Sequence, residues 1–169
     1  MKNIELERVE TQKQIDILCD IAPKVWHETF DSILPEGQTD YMIDKFQSDH
    51  AVKDQMANQN YRYYLAKLDG EYAGFVGFAP HYQGQEEMYL SKVYLLAEYR
   101  HQGVVRAMFD LVEEETKKEG LSKIRLTVNK KNTHAEKVYE HYGYQTVEAV
   151  ESDIGNGYVM DDYVMVKRV

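Results

Sequence analysis

The sequence has little of three things that would point to a particular compartment or partner. It contains one cysteine, Cys19, so no disulfide can form within the chain, which suits a reducing cytoplasm. No apolar run approaches the roughly 20 residues that a membrane helix needs, and the charged start of the chain is unlike a signal peptide. Positive charge is also scarce, since 20 Lys and Arg against 29 Asp and Glu give a formal net charge of −9. We therefore expect a cytoplasmic protein that binds neither membrane nor nucleic acid.

Motifs for two common kinds of catalysis are missing as well. The six histidines show no metal-ligand spacing such as His-Glu-x-x-His, so we expect no metal. No Gly-x-Ser-x-Gly sequence is present for a serine nucleophile. The negative charge is compatible with a cationic partner such as an amine, although acidity is also a common route to solubility.

The length of 169 residues predicts one domain over residues 1–169. Hydrophobic periodicity predicts a mixed, mostly antiparallel sheet of about seven strands with helices on both faces. This α/β (α+β) arrangement has predicted strands at Ile4–Val9, Tyr61–Lys67, Tyr72–Pro80, 88–96, Lys123–Asn129, Tyr144–Val150 and Tyr158–Val166. Helices are predicted from Gln12, near Asp40–Gln47, at Asp49–Asn58, from Gly103 and from Thr133. Pro23 should kink or break the first helix. The terminal hairpin could pair between subunits of a homodimer.

The stretch Glu87–Glu119 reads as a strand, a polar connection at Ala97–Gln102 and a helix opening at Gly103. Such a connection aims unpaired backbone N–H groups and the positive end of the helix dipole at one point, where a phosphate could bind. Arg100 and Arg106 flank the turn. The stretch lacks the lysine of a Walker loop and the three glycines of a dinucleotide fingerprint, so an ordinary strand-to-helix connection stays open as the alternative.

Two motifs at a matching separation decide between these interpretations. One is Arg100-His101-Gln102-Gly103-Val104-Val105; the other runs from Asn132 through Ala135, Tyr139 and Gly143 to Tyr144. Together they resemble the Arg/Gln-x-x-Gly-x-Gly/Ala and Asn-x-x-Ala-x-x-x-Tyr-x-x-x-Gly-Phe/Tyr patterns of the GNAT superfamily of acetyl-CoA-dependent N-acetyltransferases. The resemblance covers roughly residues 61–166. Two positions depart from the pattern, since Val105 replaces a glycine or alanine and Ala97 replaces a proline.

The resemblance implies acetyl-CoA as co-substrate and a direct attack by an amine in a ternary complex. It implies cofactor contacts by Val93, Leu95, Arg100, His101, Gln102, Gly103, Val104, Val105, Arg106 and Asn132. It also implies that the Tyr139 hydroxyl lies near the thioester sulfur as the general acid, although Tyr139 could equally be a core residue on its helix stripe.

The acceptor and the general base are less clear from the sequence. Glu87 is our first candidate for the base, and Glu28 and Asp31 could bind a cationic substrate. The N-terminal region resembles loosely that of bacterial polyamine-type acetyltransferases, so a small-molecule amine such as a polyamine is the favoured acceptor. The alternatives are a non-catalytic acyl-CoA-binding module, and an enzyme that acetylates a protein N-terminus or lysine.

Overall fold

The structure is a computed structural model that describes residues 2–169. Within that range the chain forms seven β-strands and five α-helices. The strands are β1 (Ile4–Arg8), β2 (Arg62–Leu68), β3 (Glu71–Pro80), β4 (Met88–Leu95), β5 (Lys123–Asn129), β6 (Gln145–Gly155) and β7 (Tyr158–Arg168). The helices are α1 (Gln12–Phe30), α2 (Gln38–Phe46), α3 (Asp49–Asn58), α4 (Val104–Lys118) and α5 (Thr133–His141). No helix in the described range has both the length and the apolar character to cross a membrane.

All seven strands form one sheet in the order β1-β2-β3-β4-β5-β7-β6. Every neighbouring pair is antiparallel except β4 and β5, which α4 connects and which run parallel. The predicted fold class, a mixed and mostly antiparallel sheet of about seven strands, is confirmed.

The helices cover both faces of this sheet, because alternate residues of the central strands enter two separate hydrophobic cores. Tyr63 and Phe75 join the first core, which α1, α2 and α3 cover. Ala66 and Val76 join the second core, which α4 and α5 cover. The site described below therefore has a helical layer on each side.

The sequence predicts a kink or a break at Pro23; helix α1 passes through Pro23 without ending, so no break occurs there. Proline removes one backbone hydrogen bond. Leu18 and Trp26, on either side of Pro23, are both buried in the first core, and this packing holds the two halves in one helix. The helix begins at Thr11, whose side chain accepts a hydrogen bond from the Gln14 N–H in a capping box.

The hairpin of β2 and β3 turns at Asp69-Gly70, as the sequence predicts. Gly74 in β3 allows the close approach of β4, because a Cβ at Gly74 would lie 2.2 Å from the Tyr94 carbonyl oxygen. Next to Gly77 the β3–β4 register shifts by one residue, with Gly77 opposite Lys92 and Phe78 opposite Leu90. Strand β4 therefore bulges at Ser91.

Candidate active site

The sheet opens between its two parallel strands. Strands β4 and β5 pair only at Met88 with Ile124 and at Tyr89 with Arg125. From Leu90 onward the edge of β4 has no strand partner among residues 2–169, although β3 still pairs with its other edge. Unpaired strand edges present a row of backbone N–H and C=O groups to any ligand that lies along them.

A cavity of about 570 Å³ runs through this opening and reaches both helical layers. This volume is within the range of small-molecule sites. From the second core and its surroundings the lining residues include Val93, Leu95, Arg100, Val105, Phe109, Val128, Asn132, Ala135, Val138 and Tyr139. From the first core and its helices they include Trp26, Phe30, Met42, Phe46, His50, Asp54, Tyr61, Tyr89, Lys92, Tyr94 and Asp162.

The N-terminus of α4 lies at the cavity, since Val105 is one of the lining residues, and it carries unpaired backbone donors. Gly103 is the N-cap residue with a φ of 89°, in the left-handed region that glycine tolerates, and no side chain caps the helix. The first helical hydrogen bond runs from Ala107 N–H to the Gly103 carbonyl oxygen, so the N–H groups of Val104–Arg106 have no acceptor in the described chain. Together with the helix dipole, this geometry favours an anion such as a phosphate.

Val105, which departs from the sequence motif, does not block this turn. Its side chain packs against the second core and also contributes to the cavity wall. Of the other turn residues, Arg100 lines the cavity, whereas His101, Gln102, Gly103, Val104 and Arg106 do not.

Tyr139 lies on α5 with its side chain directed at the cavity. Its ring packs edge-on against Phe109, with 5.8 Å between the ring centroids. The hydroxyl makes no hydrogen bond within residues 2–169, and burial raises the pKa of Tyr139 to about 12. Tyr139 is therefore a neutral O–H donor near pH 7 that is free to bond a ligand.

Asn132 caps α5, and its side-chain oxygen accepts a hydrogen bond from the Ala135 N–H at 3.3 Å. Helix α5 begins at Thr133, as the sequence predicts, and Asn132 is its N-cap residue. Asn132 also lines the cavity, so its side-chain NH2 group remains for a ligand.

The three carboxylates that the sequence suggested do not line the cavity. Glu87 pairs with Lys123 at 3.2 Å and with Arg125 at 3.7 Å, so its charge is already engaged. Glu28 accepts a hydrogen bond from the Ala97 N–H, and Asp31 pairs with His27 at 2.8 Å. The structure thus gives Glu87 no access to a bound amine and gives Glu28 a structural contact with the strand-to-turn corner.

Asp162 is the carboxylate that the structure does bring to the cavity. It lies on β7 opposite Asn129 of β5, is 6% exposed, and has no hydrogen-bond or ion-pair partner within residues 2–169. Burial, with a smaller contribution from the Asp161 charge, raises the pKa of Asp162 to about 6. An unpaired carboxylate with such a pKa in a cavity is a candidate proton acceptor.

Lys92 is the second ionisable group that sequence reasoning missed. It is 8% exposed and lines the cavity from the centre of β4. The only signal was a lysine inside an otherwise apolar strand, MYLSKVYL. No group of three or more His, Cys, Asp or Glu side chains in the described part of the chain is arranged to hold a metal ion.

This is an α/β protein whose two parallel strands separate at a cavity. An uncapped helix N-terminus and a phenol without a hydrogen-bond partner in residues 2–169 lie at the wall of that cavity. The chain belongs to the Acetyltransferase (GNAT) family, whose profile matches residues 24–144. No curated protein sequence matches the chain significantly.

Solved structures with similar folds agree with this family. The PaiA N-acetyltransferase of Thermoplasma acidophilum, solved in complex with coenzyme A, has a TM-score of 0.80 at 20% identity, with 99% of each chain covered. A GNAT-family acetyltransferase of Streptococcus pneumoniae has a TM-score of 0.69 at 20% identity, covering 99% of this chain and 100% of its own. The ribosomal-protein-S18-alanine N-acetyltransferase of Escherichia coli has a TM-score of 0.69 at 16% identity, covering 100% of this chain and 94% of its own.

Proposed function

We propose that this protein is an N-acetyltransferase that moves the acetyl group of acetyl-CoA to the primary amine of a small molecule, by direct attack in a ternary complex. One observation carries the proposal. The unpaired edge of β4, the uncapped first turn of α4 through Val105, and Tyr139, whose hydroxyl makes no hydrogen bond within residues 2–169, all line a single cavity.

The chain's residues suit coenzyme A in two ways. The N–H groups of Val104–Arg106 would bind its pyrophosphate, with Arg100 adding a full positive charge. The edge of β4 around Val93 and Leu95 would bind the pantetheine arm as a further strand would, with the NH2 group of Asn132 alongside. The coenzyme A complex of the Thermoplasma acidophilum protein supports this assignment.

When bound, acetyl-CoA supplies an activated acyl thioester, so no metal is required. In this chain Tyr139 would donate its proton to the departing sulfur. A pKa of about 12 keeps the hydroxyl protonated at neutral pH, and its lack of another partner leaves it free to do so.

Amine activation needs a proton acceptor, because an alkylammonium of pKa about 10.4 costs roughly 4–5 kcal/mol to deprotonate at pH 7. We assign this task to Asp162 in place of Glu87. Asp162 lines the cavity and has no competing partner, whereas Glu87 is paired with Lys123 and Arg125. With a pKa of about 6, Asp162 is mostly ionised at pH 7 and so able to accept a proton.

A small-molecule acceptor is supported by the walls of the cavity, to which all five helices and strands β4, β5 and β7 contribute. Polyamines, which the sequence favours, are supported by the net charge of −9 and by two cavity acids, Asp54 and Asp162. The alternative of a protein acceptor is suggested by the structural similarity to the Escherichia coli enzyme. At 16% identity, however, that similarity supports the fold alone. The non-catalytic alternative rests on the departure from the motif at Val105, whose side chain packs against the second core and also lines the cavity.

Release of free thiol from acetyl-CoA, assayed over a panel of polyamines, amino acids, monoamines and peptides, tests the proposal. We expect turnover with at least one small amine. Tyr139→Phe should lower kcat by roughly 10²-fold or more, as removal of a general acid does, with little change in coenzyme A affinity. Turnover with no member of the panel would remove the proposed activity, and an unchanged kcat in Tyr139→Phe would remove the acid role.

A further inference from the structure

Because of the bulge at Ser91, Lys92 lies in the part of the cavity that the first core lines, where we expect the acceptor to bind. Before the bulge, Leu90 faces the second core; after it, Val93 and Leu95 face the second core while Lys92 lies over the rings of the first. If strand alternation continued regularly from Leu90 through Ser91, Lys92 would face the second core with Leu90. Gly77, across the strand pair, leaves room for the lysine stem, since a Cβ there would lie 3.1 Å from Lys92 Cγ.

The Lys92 ammonium has aromatic walls and no counter-ion. Its Nζ lies 5.1 Å from the Trp26 ring centroid and 5.5 Å from that of Phe46. Neither a hydrogen bond nor an ion pair joins it to any residue in the range 2–169, although Asp54 and Asp162 line the same cavity. The Nζ itself still faces the cavity, since it is absent from the fully buried, unpaired polar atoms of the described chain, which are on Trp26, Gln47 and Tyr144.

The buried Lys92 amine lacks an anionic partner within residues 2–169. Burying a charged group without a partner is costly, and the two ring faces offset only part of that cost. Burial correspondingly lowers the pKa of Lys92 to about 7. An anionic group placed against Nζ would restore the missing interaction, whereas a second ammonium group there would be repelled.

We propose that the acceptor is an amine that also carries an anionic group, a carboxylate or a phosphate, which pairs with Lys92 while Asp162 faces the amine. The inference rests on the proposed function and narrows its substrate class away from polyamines. It also explains why one cavity is lined by an unpaired cation and an unpaired anion, since a zwitterionic ligand satisfies both.

Matched pairs of amines test this directly. Ornithine and putrescine, and lysine and cadaverine, differ only by the carboxylate; phosphoethanolamine and ethanolamine differ only by the phosphate and show which anion is accepted. We expect the kcat/KM of wild-type protein to favour one anionic member by at least about 10-fold, as a charge-assisted hydrogen bond would. Lys92→Met, which keeps the apolar stem, should abolish that ratio, and Lys92→Arg should restore part of it.

Lys45→Met is the matched control. Lys45 lines the same cavity, but its ammonium already donates to the Ile154 carbonyl oxygen at 2.6 Å. The ratio between anionic and non-anionic acceptors should therefore survive in this variant. Loss of the ratio in both variants would indicate a general effect of cavity charge and would overturn the assignment to Lys92.

Calorimetric binding of the same amines to protein saturated with coenzyme A separates this inference from the proposed function. Lys92-dependent binding of anionic amines without turnover would support the inference and contradict the activity. Turnover of polyamines and anionic amines with equal kcat/KM would support the activity and overturn the inference. An equal loss of kcat for all acceptors in Lys92→Met would also overturn it, because Lys92 would then act on the reacting amine.

Discussion

Asp162 and Lys92 each carry an ionisable group that the fold buries without an ion-pair partner among residues 2–169. Such groups lower stability, because the charged form is better solvated in the unfolded chain. Opposite shifts in pKa follow from the same cause, upward for the carboxyl to about 6 and downward for the amine to about 7. Side chains that reduce stability in a ligand-sized cavity are candidates for function.

Asp162→Asn should lower activity and raise stability together. If Asp162 is the base, kcat/KM of the wild-type protein falls as pH drops through about 6. The variant should not show this fall in kcat/KM. A raised pKa in the fold means that ionisation destabilises it, so wild-type stability is lost as pH rises from about 4 through about 6. The variant should therefore be more stable by about 2–3 kcal/mol at pH 8, with the gain vanishing near pH 4.

Asp161→Asn is the matched control for this pair of measurements. Asp161 is the neighbouring residue, but it is exposed and pairs with Lys130 at 2.9 Å. Urea unfolding at pH 4 and pH 8 should show little gain in the free energy of unfolding for Asp161→Asn. Its kcat/KM should still fall as pH drops through about 6. A pH profile for Asp162→Asn that still falls near pH 6, or no gain in stability at pH 8, would contradict the role given to Asp162.

Among individual residues, motif and position predicted Tyr139 and the turn after β4, but burial of charge could not be predicted. Lys92 reaches the first core only through the bulge at Ser91, and nothing in the local pattern signals that register shift. Asp162 is buried because β7 pairs with β5, a contact between distant parts of the chain. Glu87 looked free in sequence because its partners, Lys123 and Arg125, follow on a later strand.

At the scale of elements, α4 has two roles. Its apolar face packs against the sheet, and its N-terminus provides unpaired backbone N–H groups at the cavity. Met108, Phe109 and Val112 are buried in the second core and hold the helix against the sheet. The same packing fixes the N-terminus at the mouth of the cavity. Local signals were sufficient here, since the amphipathic stripe and the glycine just before it mark the helix and its start.

Gly103→Ala should weaken coenzyme A binding more than it weakens the fold. An alanine at φ 89° is strained by roughly 1–3 kcal/mol, and relief of that strain would turn the N–H groups of Val104–Arg106 away from the anion. Gly120→Ala, at the other end of the same helix, has similar strain at φ 73° and open space around it. We expect both variants to lose similar stability in urea, but only Gly103→Ala to lose affinity for coenzyme A by calorimetry. Equal affinities would exclude the turn as the anion site.

At the scale of the whole molecule, overall charge and site charge differ. The net charge of −9 suggested a cationic substrate, yet the cavity holds Lys45, Lys92, Asp54 and Asp162 together. The architecture was predictable because strand and helix periods alternate clearly along the chain. The opening between β4 and β5 was not, since it depends on where strand pairing stops rather than on any local residue pattern.

A crystal structure of the protein with bound coenzyme A tests the central claim most directly. We predict the pyrophosphate at the N-terminus of α4, the pantetheine arm along β4 beyond Tyr89, and the sulfur within roughly 3–4 Å of the Tyr139 hydroxyl. Coenzyme A bound outside the opening between β4 and β5, or a sulfur atom out of reach of Tyr139, would contradict the account.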